Sequence, residues 1–491
     1  MVRTILCLSG LLTVASVVGL GAEGKAADPP ARPNIVFILA DDLGINDLAC
    51  YGRKEHHTPN LDKLAAQGMR FTSSYCAQPI CSPTRAAIMT GKTPARLHLT
   101  TYLPGRPDTP SQKLLHPKIN MQLPLEEKTI AELLKEAGYV SACIGKWHLG
   151  GAGFGPREQG FDFVYAGQAN TPPSETEGGK GEYGLTNEAL KFLEENKDRP
   201  FFLYLAHNNP HIPLAAKPEL IAKYQGTFNP IYAAMIHTLD DSIGRLLDRL
   251  DELKLADRTL VVFTSDNGGL HVLESANTPA THNTPYRAGK GFVYEGGLRV
   301  PLIVRWPGQV PAGRVVDTPV ISTDWVPTFL EICGVKAPGP LDGVSLTGLL
   351  KGGELPARPL LWHFPHYTNQ GSRPAGAIRE GDWKLVEHYE DGRVELFNLA
   401  QDIGETRDLA AKEPQRAATL KAKLAAWRKQ VGAQENTPNP HFDPALYRKL
   451  YQDIDVSALR AGATAAEMSL KLQAWREGMN AVLPRKKPAK P

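Results

Sequence analysis

Cysteine is scarce in this chain, with six in 491 residues, and no CxxC pair occurs among them. The two nearest, Cys76 and Cys81, stand five residues apart, which excludes the paired-ligand spacing of a structural zinc site. An excess of one charge is also missing: Lys+Arg 55 against Asp+Glu 52 leaves a formal net charge of +3. Such a balance argues against nucleic acid or an acidic membrane surface as a partner, so an anionic ligand would need a local positive pocket. Beyond the N-terminus no apolar run approaches the roughly 20 residues that span a bilayer, and no internal repeat is visible. What remains is a chain with 42% hydrophobic residues and aromatics throughout, long enough to bury a large core in more than one domain.

The first residues have the layout of a secretory signal peptide: Met1-Val2-Arg3, an apolar run from Ile5 to Leu20, small residues, then Lys25-Ala26-Ala27-Asp28. We assign residues 1–27 to it, with the mature start between Ala22 and Asp28, and expect an exported protein, periplasmic or secreted, without stable membrane insertion. Removing Cys7 with the signal leaves Cys50, Cys76, Cys81, Cys143 and Cys333. That number is odd for an oxidising compartment, so one thiol needs its own explanation. A Cys50–Cys76 disulfide is compatible with the sequence but not deducible from it.

Asn34 to Ala40 (NIVFILA) reads as a strand buried on both faces, ending abruptly in Asp41-Asp42. Thr129 and Glu132 form a capping box for a helix through about Ala137, followed by a strand from Tyr139 to Ile144 that ends at Gly145-Lys146. Phe201 to Ala206 and Thr259 to Thr264 repeat the theme. Between them Tyr232, Met235, Leu239, Ile243, Leu246 and Leu250 recur at helical spacing. The expected fold is an α/β sandwich with a large, mainly parallel sheet flanked by helices, its ligands beyond the carboxyl ends of the strands. We expect this catalytic domain over residues 30–352. A smaller α+β subdomain over 353–432 would hold an antiparallel hairpin, Ala377 to Val386 with Val394 to Leu399, and a helix from Glu413 to Val431. Residues 433–491 would add a Pro-rich link, short helices and a basic tail around Arg485-Lys486-Lys487.

Polar clusters fall at those strand ends. Ser82 and Pro83 suit the N-cap and first turn of a helix through Thr90, which puts Cys81 just outside a helix N-terminus, where anions are favoured, with Arg85 one turn on. A lone cysteine is nonetheless more often an ordinary core residue. Asp41-Asp42 and Asp266-Asn267 offer oxygen donors only, which suit Ca²⁺ or Mg²⁺ rather than zinc, although either pair alone is commonly a cap or turn. Lys146 and His148, the cluster His207-Asn208-Asn209-Pro210-His211, and Lys290 add the cationic groups that a transferring oxyanion needs. Together they point to hydrolysis of a sulfate or phosphate ester.

The run Cys81-Ser82-Pro83-Thr84-Arg85 fits the pattern CxPxR, and it keeps company with RPNIVFILADDLG, TPNLDKLAAQG, GKWHLG, TSDNGG, GKGFVYEGGLRVP and GDWKL in order. On these motifs the chain resembles the type I, arylsulfatase A-like sulfatases of the alkaline phosphatase superfamily from about residue 32 to 445. The resemblance implies that a maturation enzyme oxidises Cys81 to formylglycine, whose hydrate is the nucleophile. It implies Ca²⁺, with Mg²⁺ second, held by Asp41, Asp42, Asp266 and Asn267, with residue 81 completing the shell. Arg85 and Lys146 would hold the hydrate, Lys146, Lys290 and His211 the sulfate, and His148 would assist the second step. His207 is the alternative to His211. The implied activity is that of a sulfuric ester hydrolase, with a phosphonate monoester or phosphodiester hydrolase, or a non-catalytic sulfated-glycan binder, as the competing readings. His56, His57, His98, Tyr102, His271 and His282 hint at a sulfated carbohydrate rather than a small aryl sulfate. Oligomeric state, sulfate position and exo or endo action leave no mark in the sequence.

Overall fold

A computed structural model describes residues 32–484; the expected signal peptide and the basic tail lie outside them. The core is an eight-stranded sheet: β1 (Asn34–Ala40), β2 (Met69–Phe71), β3 (Val140–Gly145), β4 (Phe163–Tyr165), β5 (Phe201–Ala206), β6 (Thr259–Ser265), β7 (Leu302–Arg305) and β8 (Arg314–Val316), in the spatial order β8-β2-β7-β6-β1-β5-β3-β4. β7 alone runs against its neighbours, so the sheet is mainly parallel as expected. β1 shows why the apolar runs are unbroken. Val36, Ile38 and Ala40 face one hydrophobic layer and Ile35, Phe37 and Leu39 the other, so every position after Asn34 meets apolar neighbours.

Helices cover both faces. They include α1 (Pro59–Gln67), α2 (Cys81–Thr90), α3 (Ile130–Glu136), α4 (Glu182–Asn196) and α5 (Pro230–Glu252). The six apolar residues read at helical spacing on α5 are all buried, in the same layer as Val36 and Ile38. α3 opens on the expected capping box, with the Thr129 hydroxyl accepting from Glu132 N–H and the Glu132 carboxylate accepting from Thr129 N–H.

A separate antiparallel sheet, β9 (Leu360–Phe364), β10 (Ala375–Glu380), β11 (Trp383–His388) and β12 (Val394–Asn398), runs in sequence order. Its outer face packs Ile378, Leu385 and Leu396 on α6 (Pro414–Gln430). The single strand expected over Ala377 to Val386 is instead two, because Gly381 at φ 58° turns the chain back. The C-terminal segment also departs from expectation. Thr437–Pro438 pairs with Leu114–Leu115, and α7 (Ala465–Ala481) is a 17-residue helix that buries Leu472, Trp475 and Met479 in the main core. All five described cysteines are free thiols, so Cys50 and Cys76 are not joined. Among the described residues no helix is long and apolar enough to cross a membrane.

Candidate active site

β1 and β6 are adjacent and parallel, with Ala40 opposite Ser265, so Asp41 and Asp266 leave the sheet side by side. Asp42 follows in a left-handed conformation at φ 67°, a strain that persists only where surrounding contacts hold it. They do: Asp42 N–H donates to Asp266 Oδ1 at 3.1 Å, and Asn267 Nδ2 donates to Asp42 Oδ1 at 2.8 Å. The two acid pairs read separately from the sequence therefore form one cluster.

Three cations close around it. Arg85 is fully buried and sends Nε and Nη2 to Asp266 Oδ2 at 2.9 and 2.7 Å, and Nη1 to the Lys146 carbonyl at 2.8 Å. Lys146 Nζ lies 2.7 Å from Asp41 Oδ2, and Lys290 Nζ lies 2.7 Å from Asp42 Oδ2. Gly145 precedes Lys146 at φ 98°, where a Cβ would stand 1.9 Å from the Ala206 carbonyl oxygen; only glycine lets the chain leave β3 this close to β5. Three carboxylates thus face three cations. Even so, Asp41 Oδ1 and Asn267 Oδ1 are buried acceptors with no donor, which suits a hard cation that takes oxygen ligands. Asp41, Asp42 and His211 each bring one donor atom within 4.8 Å of the others.

Cys81 is the first residue of α2, not the residue before it. Ile80 takes the N-cap with extended backbone, and the Ser82 hydroxyl, expected as the cap, accepts instead from Leu103 N–H at 3.2 Å. Cys81 Sγ is 3.4 Å from His148 Nδ1. His148 Nε2 donates to the Leu103 carbonyl at 2.8 Å, which turns Nδ1 toward Cys81. Burial alone would raise the Cys81 thiol, but Lys146, His148 and Lys290 outweigh it and bring it down to about 6. His211 Nδ1 donates to the Ile212 carbonyl at 2.6 Å, and Nε2 accepts from Lys290 Nζ at 3.1 Å. Burial and the Lys290 charge hold His211 down at about 4.

Cys81, Lys146, His148, His211 and Lys290 border one cavity of about 680 Å³. His207 does not reach it: the ring is fully buried and bonded through Nδ1 to Glu182. Glu182 had no sequence signal, yet it also accepts from the N–H groups of Asn208 and Asn209 at 2.8 and 2.9 Å and so shapes the turn that delivers His211. Of the six aromatic or imidazole hints, Tyr102 lines the cavity. His56 and His271 bond backbone carbonyls, His282 pairs with Arg53, His98 meets the Gly432 carbonyl, and His57 stacks on His237.

The family model described as Sulfatase matches residues 33–335, more than half of the chain. The chain belongs to the sulfatase family. A second model, N-sulphoglucosamine sulphohydrolase C-terminal, matches residues 288–430 of this sulfatase. It is 37% identical over 392 residues to a canine (Canis lupus familiaris) N-acetylgalactosamine-6-sulfatase, covering 72% of each chain. It is 31% identical over 541 residues to a Mus musculus steryl-sulfatase, covering 85% of each. The crystal structure of Ps i-CgsB superposes with a TM-score of 0.71 at 32% identity, covering 81% of this chain and 93% of that one; that protein is also known in complex with k-i-k-neocarrahexaose. This sulfatase is a sulfuric ester hydrolase with the alkaline phosphatase-type fold.

Proposed function

We propose that this enzyme is exported and hydrolyses the sulfate monoester of a carbohydrate, using a formylglycine made from Cys81 and a Ca²⁺ ion held by Asp41, Asp42, Asp266 and Asn267 together with residue 81. One observation carries the reading: Cys81, Lys146, His148, His211 and Lys290 converge in one cavity beside two buried oxygens, Asp41 Oδ1 and Asn267 Oδ1, that lack donors. When bound, the cation supplies Lewis acidity at that spot. An ammonium has three N–H donors. Lys146 spends one on Asp41, and Lys290 spends one on Asp42 and one on His211. Three donors remain, one for each terminal sulfate oxygen, to stabilise the charge that develops there during transfer.

His148 Nδ1 is placed to take a proton from a hydroxyl carried by residue 81, the step that releases sulfate from a geminal diol and is closed to a serine ester. His211 is neutral at ordinary pH, so the proton it gives the leaving alcohol must first reach Nε2. The negative charge of a bound sulfate ester, set against the Lys290 charge, favours protonation of that atom. Tyr102, Glu274, Asn369 and Gln370 line part of the cavity with groups that can hydrogen-bond sugar hydroxyls. The sugar named in one relative and the oligosaccharide bound to Ps i-CgsB support the same class.

Mass spectrometry of the peptide containing residue 81, from material made in the native host, should find the aldehyde; a thiol throughout would turn the reading toward a binding protein. Free-sulfate assays on defined sulfated mono- and oligosaccharides, beside matched aryl sulfate and phosphonate esters, should show sulfate release from sugars, lost in Cys81→Ala. Faster phosphonate turnover would reassign the reaction.

A further inference from the structure

Lys180 borders the same cavity as Cys81, Lys146 and His211, yet the chemistry above gives it no part. It is 2% exposed, and its ammonium donates to neutral oxygens alone, Asn170 Oδ1 at 3.2 Å and the Ile212 carbonyl at 3.3 Å. Lys146 and Lys290, by contrast, each touch a carboxylate at 2.7 Å. A desolvated ammonium without a counter-ion is an unfavourable arrangement that an anionic ligand relieves. The direction of its pKa agrees: burial pulls Lys180 down, whereas Asp41 and Asp42 outweigh burial and raise Lys146 and Lys290.

The backbone holds this lysine on purpose-built geometry. Gly179, Lys180 and Gly181 all have positive φ, at 105°, 66° and 76°. A Cβ on Gly179 would stand 2.9 Å from the Ala215 carbonyl oxygen, and one on Gly181 2.7 Å from that of Gln168. Lys180 N–H donates to the Thr171 carbonyl at 2.7 Å, and its own carbonyl accepts from Asn208 Nδ2 at 3.0 Å. A left-handed residue between two glycines is a place for glycine or asparagine; a lysine there is explained by its side chain. Tethering Asn170 to Ile212 does not require a charge. One ammonium hydrogen stays free for the cavity, beside the exposed side chain of Asn170.

We propose that Lys180 and Asn170 form an anion subsite beside the sulfate site, taking a second acidic substituent, a carboxylate or a further sulfate, carried by the same sulfated glycan. The inference rests on the carbohydrate-sulfate reading and narrows it to substrates with at least two negative groups. The reacting sulfate is already matched by the free hydrogens of Lys146 and Lys290, and a neutral hydroxyl would leave the Lys180 charge uncompensated.

Three sugars test it: a monosulfated hexosamine, the same hexosamine with a second sulfate, and the monosulfated hexosamine linked to a uronic acid. Sulfate release should favour one or both of the doubly charged sugars, chiefly through KM, and which one is favoured names the substituent. Lys180→Met should cut that preference by about 30-fold, the worth of one charge-assisted hydrogen bond, while Lys180→Arg keeps most of it. No preference in the wild-type enzyme would overturn the subsite, as would an unmoved ratio in Lys180→Met or equal loss in both variants. Calorimetric titration of Cys81→Ala, with and without Lys180→Met, reads the same preference without turnover. If no sugar released sulfate but binding of the doubly charged ones still fell with Lys180→Met, the subsite would stand and the reaction would need reassignment.

Discussion

The carboxyl end of the main sheet and the seam between that sheet and the C-terminal strands both bury clusters of charge. At the seam, Lys384 Nζ sits between Glu295 Oε1 and Glu405 Oε1, at 2.8 and 2.9 Å. Arg299 and the Tyr75 hydroxyl both reach Glu295 Oε2 at 2.7 Å, and Arg379 donates to the same hydroxyl. Charge shifts do not separate the two places: burial pushes Glu405 up to about 7, as the lysines bring Cys81 down to about 6. What separates them is reach. The seam's lysine is closed in between its two carboxylates, whereas at the strand ends a cavity stands open over the thiol. A perturbed ionisable group marks a site only where a ligand can arrive.

Substituting one lysine in each cluster should break this comparison if it is wrong. Lys384→Met leaves buried Glu405 without its cation and Glu295 with Arg299 alone, and should cost about 3–5 kcal/mol of stability in denaturant unfolding, with the folded fraction turning over sulfate ester normally. Lys290→Met should lower kcat/KM by about 10²–10³-fold, and in calcium-loaded protein, where the cation would keep Asp42 paired, its melting temperature should move less than that of Lys384→Met. Equal thermal losses in the two variants would remove the distinction. Metal sharpens it next. Calcium at a hundred times its dissociation constant should stabilise the protein by about 2.7 kcal/mol, an increment seen as a rise in Tm over chelated protein. Asp42→Ala should abolish that rise and Lys384→Met should keep it.

The half of the site that was legible came from strand ends. NIVFILA and TLVVFTS are uninterrupted because both faces of β1 and β6 are buried, so Asp41-Asp42 and Asp266-Asn267 stood out where burial stops. Lys146 and Lys290 were legible as motif residues, but their pairing with Asp41 and Asp42 was not, since sequence neighbours say nothing about which strands lie side by side. Cys81 was misplaced by one residue because the Ser82 hydroxyl is claimed by Leu103, a contact made by a distant loop. Glu182 gave no signal, being an acid in an ordinary helical run, and His207 was separable from His211 only once Glu182 was seen to hold it. The sequence reads the C-terminal segment as a Pro-rich link with short helices and a basic tail. Yet Arg476 on α7 donates to the carbonyls of Leu273 and Asn369, bracing the loops that carry Glu274 and Gln370 into the cavity. Contacts across 203 and 107 residues leave no local pattern to read.

The smallest expected effect concerns pH and one residue of the seam. Burial raises Glu405 from an ordinary value of 4.5 to about 7, so between these values the folded protein holds a proton that the unfolded chain has released. The contribution of Glu405 to stability must then fall as pH rises from about 4.5 to about 7 and level off above, by an amount on the order of 1–3 kcal/mol, and the difference between wild type and a variant at this residue isolates it. Glu295 is shifted the opposite way, because Lys384, Arg299 and Arg379 outweigh its burial, and its contribution is lost only below about pH 4.5, outside this window. Glu405→Gln keeps an oxygen for the Glu295 N–H but cannot ionise, so its unfolding free energy should lose that decline and exceed wild type at pH 8. A decline that survives in Glu405→Gln would mean that another buried group, closer to the open site, sets the pH dependence.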